Sequence, residues 1–367
     1  MKKFIWRLVK SLVALIVVLI ISITLFMQFA PVFGGKPDEI TINKIHESEN
    51  FNGEIFHNLV PTVLETSSNQ KISILNFIFP PDGKNPKESL PAKYFDKNNF
   101  NNGDMVWFGH STILFKTHDV TIMTDPVFYS AAPVSFLVQP YDMDVVNTIN
   151  GLPEIDVVLI SHDHYDHLDY RAIQEMDAKV KKFIVPLGIK AHLQRWGVAD
   201  NKVLELDWYE DETFSSVKFT LTPSRHFSGR GLSDRYSTLW GSWVVKSESL
   251  SLFFSGDSGY FDEFKKIGDM FGPFDIAFLE NGAYNPAWSQ IHMYPENSVQ
   301  ASIDLNAKIF FPIHWGKFDL SVHQWTDPIL RAKKAAEHNN VKVATPLIGE
   351  SFTTTHYSSN VWWESVK

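Results

Sequence analysis

A run of three histidines and two aspartates, HDHYDH at residues 162–167, directly follows an apolar segment typical of a buried β-strand. Neutral imidazoles are common metal ligands, and carboxylates complete the coordination of a borderline-soft cation. In an extended loop, His162 and His164 project in similar directions and can reach one ion. A turn into a helix would direct Asp166 and His167 to a neighbouring position. The run therefore predicts a metal site for two adjacent ions at the end of a strand.

Four residues cannot complete two metal sites, so further ligands are expected behind other strands. His226, Asp257 and His314 each follow a different apolar run. Taken singly, each is better explained as a hydrogen-bonded histidine or a turn-forming aspartate. Their shared position behind strands, together with the run at 162–167, favours metal binding. The chain contains no cysteine, so histidines and carboxylates must supply all of the ligands.

Length and charge limit the classes of function that this chain can have. Its 367 residues are enough for one large domain or two ordinary ones. Residues 1–30 hold four Lys or Arg and no acid, which leaves 29 cations against 42 anions in the remainder. Nucleic-acid binding requires clustered cations, so we expect no nucleic-acid partner.

The N-terminus predicts a membrane helix. Residues 11–30 carry no charge, and 20 residues at a rise of about 1.5 Å span a bilayer core of about 30 Å. The cations upstream are expected to stay in the cytoplasm, which puts the catalytic domain of this single-pass protein on the non-cytoplasmic side, the periplasm in a bacterium. A cleaved signal peptide and a buried soluble helix are the alternatives.

The remaining chain divides into a polar arm at residues 31–100, with little predicted regular structure, and a domain at 101–367 in which strand and helix patterns alternate. Strands are predicted at residues 105–108, 113–115, 120–124, 155–160, 183–185, 217–221, 243–245, 252–254, 275–279 and 309–312. Helices are predicted at residues 171–177, 189–196, 261–267, 295–304 and 328–339. This pattern favours two packed sheets with helix layers outside them, a mixed α/β (α+β) fold.

Several motifs carry a resemblance to a known family. HDHYDH at 162–167, SGD ending at Asp257 and IHWG around His314 resemble the metallo-β-lactamase superfamily of hydrolases. Other motifs resemble its branch of N-acylphosphatidylethanolamine-hydrolysing phospholipase D enzymes and their bacterial relatives. These are FGHST at 108–112, TDP at 124–126, HFSGRG at 226–231, LWGSW at 239–243, GDSGY at 256–260, GAY at 282–284 and HWGKF at 314–318.

The resemblance implies a four-layer αββα sandwich that follows the N-terminal helix and has a dinuclear site at the edge where its two halves meet. His162, His164 and His226 match the ligands of one metal. Asp166, His167 and His314 match the ligands of the second, and Asp257 matches the bridging ligand. Two zinc ions are expected, with iron or manganese as alternatives.

The expected reaction is attack by a metal-bridging hydroxide on a phosphodiester or ester. Asp166 and Asp257 are candidate catalytic residues that would orient the attacking water. His292 matches a family histidine near the scissile phosphate and is both a catalytic and a substrate-binding candidate, while Tyr284 and Arg230 are candidate substrate contacts. Asp125 is expected to fix the metal loop, the segment that carries residues 162–167.

The leading functional prediction is a membrane-anchored phospholipase D-type phosphodiesterase that acts on N-acylphosphatidylethanolamine-like lipids. A lactonase or carboxylic-ester hydrolase with the same site is the alternative, and a non-catalytic metal-bound scaffold is the third. The expected partners are a phospholipid or small ester substrate and the membrane, and a homodimer is left open. The uncharged aromatic segment 128–141 is expected to be a buried loop, a wall of an acyl-chain groove or a surface that dips into lipid.

Overall fold

A computed structural model describes residues 2–66 and 82–366, and its strands form two sheets in this part of the chain. The strands in chain order are β1 (Met105–Trp107), β2 (Ile113–Thr117), β3 (Val120–Thr124), β4 (Ile155–Leu159), β5 (Val180–Pro186), β6 (Val203–Leu206), β7 (Asp211–Phe214), β8 (Val217–Thr222), β9 (Ser242–Lys246), β10 (Ser251–Phe254), β11 (Ile276–Glu280), β12 (Phe310–Ile313) and β13 (Ser351–Phe352). The α-helices are α1 (Lys2–Phe29), α2 (Glu39–Glu47), α3 (Tyr170–Met176), α4 (Lys190–Arg195), α5 (Glu263–Phe271), α6 (Pro295–Asp304) and α7 (Asp327–His338).

Each sheet is mixed, with its parallel strands grouped together. The first sheet has the order β13-β1-β2-β3-β4-β5-β6, and the pairs from β3 to β6 are parallel. The second has the order β12-β11-β10-β9-β8-β7, and the pairs from β10 to β12 are parallel. Parallel neighbours end at the same edge of a sheet, so the loops after β3 and β4, and those after β10, β11 and β12, can meet.

Side chains alternate across each strand and so divide the core into three layers. Phe115 and Val157 of the first sheet belong to the same buried cluster as Phe219 and Phe254 of the second. The opposite face of the first sheet packs against α3 and α4, where Val158 shares a cluster with residues of both helices. The opposite face of the second sheet packs against α5, α6 and α7. The four-layer αββα architecture expected from the sequence is confirmed.

The predicted strands and helices are present, with small shifts at their ends. The structure adds β6, β7, β13 and α2, which the sequence patterns did not predict. Strand β7 is an edge strand with only partly buried or exposed side chains, so it has no apolar run. Helix α2 lies in the arm expected to lack regular structure. Asp38 caps it by accepting a hydrogen bond from the Thr41 backbone N–H.

Helix α1 is long and apolar enough to cross a membrane, and none of its residues is buried. The alternative of a buried soluble helix is therefore wrong. A signal sequence near the N-terminus can meet the same criteria of length and composition, so both of the other interpretations stand. The described parts of the arm pack on the domain, since Ile45, Phe56 and Leu90 belong to the cluster between the sheets. The arm also spans residues 67–81, which lie outside the described residues.

Candidate metal centre

The seven predicted metal ligands come together at one edge of the sandwich. His162, His164, Asp166 and His167 lie in the loop after β4. The remaining three, His226, Asp257 and His314, follow β8, β10 and β12 respectively. All are buried except His164 and Asp166, which are partly exposed. The strand ends thus deliver ligands from both sheets to one place.

The ligands form two groups joined by Asp257. In the first group, His164 Nδ1 lies 2.9 Å from His162 Nε2 and 3.3 Å from His226 Nε2. In the second group, Asp166 Oδ2 lies 3.5 Å from His167 Nε2 and 3.3 Å from His314 Nε2.

Asp257 contacts both groups. Its Oδ2 lies 3.9 Å from His162 Nε2 and 3.1 Å from His314 Nε2, and its Oδ1 lies 3.2 Å from His167 Nε2. Ligands of a tetrahedral zinc ion with bonds of about 2.0–2.1 Å lie about 3.3 Å apart, so these separations suit such ions. His167 Nε2 and Asp257 Oδ1 are buried and form no hydrogen bond within the described residues, as expected of atoms that bind a cation.

The charges of the centre also fit a cation. Burial lowers the pKa of His162 and His226 well below the usual value, so both rings are neutral, the form that binds metal. Burial would also lower the pKa of His314, but the carboxylates of Asp257 and Asp166 raise it to about 10. In the described residues these two aspartates pair only with histidines. Bound cations would compensate their charge.

Asp125 holds the metal loop from behind. Its Oδ2 accepts hydrogen bonds from His167 Nδ1 at 2.7 Å and from Ser161 Oγ at 2.6 Å, and its Oδ1 accepts one from the Ser161 backbone N–H. The aspartate is fully buried, and burial raises its pKa. The bond at Nδ1 turns His167 Nε2 toward Asp257, so Asp125 is placed to orient this predicted ligand.

The arm holds a second ligand. His226 Nδ1 donates a hydrogen bond to the Ile291 carbonyl at 2.9 Å, which leaves Nε2 directed at the centre. The side chain of Asn58 bonds both the backbone N–H and the carbonyl of His226. The arm is thus part of the support of the metal centre.

His110 lies beside the predicted ligands. Its Nε2 is 3.2 Å from Asp166 Oδ2, and its ring centroid is 4.0 Å from that of His314. Burial, reinforced by the charge of His314, lowers its pKa to about 3. The neutral ring can donate a hydrogen bond to Asp166 and orient that carboxylate.

A cavity of about 630 Å³ opens at the ligands. His164, Asp166, Asp257 and His314 form its polar end. Apolar and aromatic side chains dominate the rest of its lining, together with one cation and one further acid: Leu64, Glu65, Phe227, Arg235, Tyr236, Ala283, Trp288, Ile291 and Leu320. A cavity of this kind suits a substrate with an apolar part and an ester or phosphate group.

His292 lines the same cavity and is held by a buried carboxylate. Its Nδ1 lies 2.8 Å from Glu280 Oε2, and Nδ1–H donates the hydrogen bond. The other oxygen of Glu280 accepts hydrogen bonds from the backbone N–H groups of Ser258 and Met293. Burial raises the pKa of Glu280. The pairing at Nδ1 leaves His292 Nε2 for a contact in the cavity.

The other two predicted substrate contacts lie elsewhere. Tyr284 is buried, its hydroxyl bonds Asp327, and its ring stacks on His323 at 4.3 Å. Arg230 is buried behind the metal loop, where Nη1 donates hydrogen bonds to the carbonyls of Asp163 and Leu168. Neither side chain lines the cavity at the ligands. The structure therefore does not place Tyr284 and Arg230 as the expected substrate contacts. A motif identifies the residue type at a position but not the direction of its side chain.

Two residues of the site have no clear signal in the sequence. Arg235 lies in a polar loop, and Glu280 ends a strand that reads as ordinary apolar sequence. The pairing of Glu280 with His292 could not be predicted, because only the tertiary structure brings the end of this strand next to the later loop.

Comparison with known proteins agrees with this geometry. A model of the Beta-lactamase superfamily domain matches residues 121–315. An uncharacterized protein of Mycobacterium tuberculosis is 36% identical over 340 residues, 89% of this chain and 90% of that protein. N-acyl-phosphatidylethanolamine-hydrolyzing phospholipase D 1 of Caenorhabditis elegans is 33% identical over 286 residues, 73% of this chain and 78% of that enzyme.

The fold has a counterpart among solved structures. Igni18, a metallo hydrolase from Ignicoccus hospitalis, matches with a TM-score of 0.52 and 21% identity over 68% of this chain and 97% of that chain. At this identity the likeness concerns the fold alone. Together with the family match, it agrees with the two packed sheets described above. The chain therefore belongs to the β-lactamase superfamily and is a metal-dependent hydrolase with the metallo-β-lactamase fold.

Proposed function

We propose that this chain is a membrane-anchored phosphodiesterase of phospholipase D type that hydrolyses N-acylphosphatidylethanolamine-like lipids at a dinuclear centre. The observation that carries the proposal is a cavity in which predicted ligand side chains, His292 and an apolar wall meet. The relative from C. elegans, named for hydrolysis of this lipid class, supports the choice of substrate.

Each of the two ligand groups would hold one ion. His162, His164 and His226 would hold one, Asp166, His167 and His314 the other, and Asp257 both. When bound, the ions supply a water of lowered pKa and positive charge that stabilises the anionic transition state. Zinc suits the ligand set, and iron or manganese would also suit it.

The protein side chains then orient the reactants and move protons. Asp166 and Asp257 face the cavity and can accept a hydrogen bond from the attacking water. Hydrolysis forms a bond from the water oxygen to phosphorus and breaks the bond from phosphorus to the ethanolamine oxygen. His292, when both of its ring nitrogens carry a proton, is placed to donate the proton on Nε2 to that leaving oxygen and keeps the Nδ1–H bond to Glu280. The products are phosphatidic acid and an N-acylethanolamine.

The cavity lining supports a lipid substrate. Leu64, Phe227 and Trp288 offer apolar surface to an acyl chain. Arg235 lies in the same cavity, with its guanidinium carbon 5.7 Å from the Phe227 ring centroid, and can pair with a phosphate oxygen. It would take the role of substrate contact that was expected of Arg230.

Product analysis tests the proposal. The purified full chain, loaded with zinc in mixed micelles, is incubated with N-acylphosphatidylethanolamine and separately with a panel of lactones and carboxylic esters. We expect phosphatidic acid and N-acylethanolamine from the lipid, and no products after His162→Ala. Turnover of lactones or esters alone would replace the phosphodiesterase by the ester-hydrolase alternative.

The membrane part of the proposal rests on helix α1 and has its own test. We expect the full chain to stay with the membrane fraction in alkaline carbonate and a variant without residues 2–29 to be released. Release of the full chain would refute the anchor without bearing on the chemistry.

A further inference from the structure

A second cavity, of about 640 Å³, lies where helix α1 meets the domain. Phe26 and Ala30 at the end of the helix form one wall, and segment 128–140 forms most of the rest. Tyr165, Asp169, Arg171 and Arg230 close the side toward the metal loop. In the described part of the chain it shares no lining residue with the cavity at the metal ligands.

The end of α1 and the residues just after it are fixed to the domain by side chains that donate hydrogen bonds to backbone carbonyls. Arg195 Nη2 donates to the Phe29 carbonyl at 2.9 Å, and Trp196 Nε1 donates to the Pro31 carbonyl at 2.7 Å. Arg230 Nε donates to the Val32 carbonyl at 2.9 Å. The cavity therefore sits at the end of the helix, the level at which a bilayer changes from acyl chains to phosphates.

The segment beside the helix end presents apolar side chains outward. Phe136, which lines the cavity together with Phe26 of α1, is 77% exposed, and its neighbour Leu137 is 61% exposed. Segment 128–141 carries no charged residue. Exposed apolar surface that is continuous with a membrane helix fits contact with lipid chains.

Arg230 gives the cavity a site for an anion. The residue is 3% exposed and lines the cavity, and its Nη2 has no hydrogen-bond partner in the described part of the chain. The carboxylate of Asp169 is already bonded to four backbone N–H groups, those of residues 128, 129, 171 and 172. Arg171 is paired with Glu175 at 2.9 Å. The Arg230 guanidinium lies over the rings of Tyr165, at 4.2 Å, and Trp196, at 5.0 Å, so the N–H groups of Nη2 are the part that still lacks a hydrogen-bond acceptor within the described residues.

We propose that this second cavity binds one phospholipid of the bilayer around α1, separately from the substrate. An acyl chain would lie against Phe26, Phe128 and Phe136, and a phosphate oxygen would accept a hydrogen bond from Arg230 Nη2. The bound lipid would hold the domain against the membrane surface. This inference rests on the membrane anchoring proposed above and does not depend on the reaction at the metal centre.

Photocrosslinking tests the lipid site without turnover. The full chain is treated with a chelator and reconstituted in phosphatidylcholine nanodiscs that contain a trace of phosphatidylglycerol with a diazirine in its acyl chain. Labelled peptides are identified by mass spectrometry. We expect labelling of peptides covering residues 128–140 and 165–171, and about tenfold less with a diacylglycerol probe, which lacks the phosphate.

A pair of variants separates the cavity from general contact with lipid. Ala132→Trp fills the cavity, whereas Leu137→Trp adds the same ring at an exposed position of the same segment outside the lining. Each methylene group of an acyl chain that is buried in the cavity strengthens binding by about fourfold. Because the ring introduced by Ala132→Trp would exclude such groups, this variant should lower labelling of residues 165–171 by about tenfold or more. Leu137→Trp should not lower it.

Equal labelling in both variants, or no headgroup dependence, would overturn the proposed site. Absence of label in 128–140 from a chain that stays membrane-bound in alkaline carbonate would overturn it as well. Neither result touches the proposed hydrolase activity, which is measured with the metal present.

Discussion

Replacing His292 by alanine should slow hydrolysis according to how much the leaving group needs a proton. N-acylethanolamine leaves as a strongly basic alkoxide, whereas 4-nitrophenolate is weakly basic and leaves without protonation. His292 lines the cavity with Nε2 free because Nδ1–H is bound to Glu280 at 2.8 Å. The loss should therefore fall on the natural lipid and spare an aryl phosphodiester.

The structure sets the size of the two effects. A positioned general acid contributes about 10²–10⁴-fold, so His292→Ala should lower kcat on the lipid by about that factor. Glu280→Gln keeps the volume but places an amide N–H₂ against Nδ1 and replaces a charge-assisted hydrogen bond by a neutral one. That change is worth about 1.5 kcal/mol, or about tenfold in rate.

The assay measures kcat on N-acylphosphatidylethanolamine and on bis(4-nitrophenyl) phosphate for each variant and for the double variant. Because Glu280 acts through His292, the double variant should be no slower than His292→Ala alone. His356→Ala, at an exposed histidine that bonds only Thr355 and Thr353 in the described residues, is the matched control. An equal loss on both substrates would refute proton donation by His292 and leave it a substrate contact.

Three further predictions follow from buried groups. Asp125→Asn should lower zinc affinity about 10–100-fold, measured by competition with a chelator, because Asp125 holds His167 Nδ1; retained affinity would contradict its orienting role. Chelation should lower the Tm of the wild type, since zinc at about 100 times its Kd adds about 2.7 kcal/mol, and His162→Ala should show a smaller change in calorimetry. Burial lowers the pKa of Lys317 from 10.5 to about 7, so the unfolded chain binds the extra proton between these values and the unfolding free energy should rise with pH across this window. In urea titrations at pH 7 to 10, Lys317→Met should flatten this rise of the unfolding free energy with pH. An unchanged rise in the variant would show that other groups cause it.

Much of the fold was predictable because burial leaves a pattern in the sequence. Strand β4 is an apolar run, and a six-residue ligand loop follows it at 162–167. Strands β6 and β7 were missed because an edge strand such as β7 needs no apolar run, and its position is fixed by pairing with β8. Helix α2 was missed because its stability depends on packing of Thr41 and Ile45 against the domain.

The candidate site divides in the same way. The residue types of the ligands identify metal chemistry from the sequence alone, since histidines and carboxylates concentrated behind strands have few other uses. The direction of a side chain is not predictable in this way. Tyr284 and Arg230 lie in motifs of the site, yet Tyr284 bonds Asp327 and Arg230 bonds a carbonyl behind the metal loop. Arg235 lines the same cavity as the ligands, but no sequence motif indicates this position.

The sequence by itself determined which chemistry this chain can support: a histidine and aspartate centre, a domain of alternating strands and helices, and an apolar helix at the N-terminus. Only the tertiary structure decided which side chains share a cavity, that Glu280 holds His292, and that the end of α1 and segment 128–140 enclose a second cavity. The reason is physical. Residue type fixes what an atom can bind, whereas its neighbours are set by the packing of strands and loops that lie far apart along the chain.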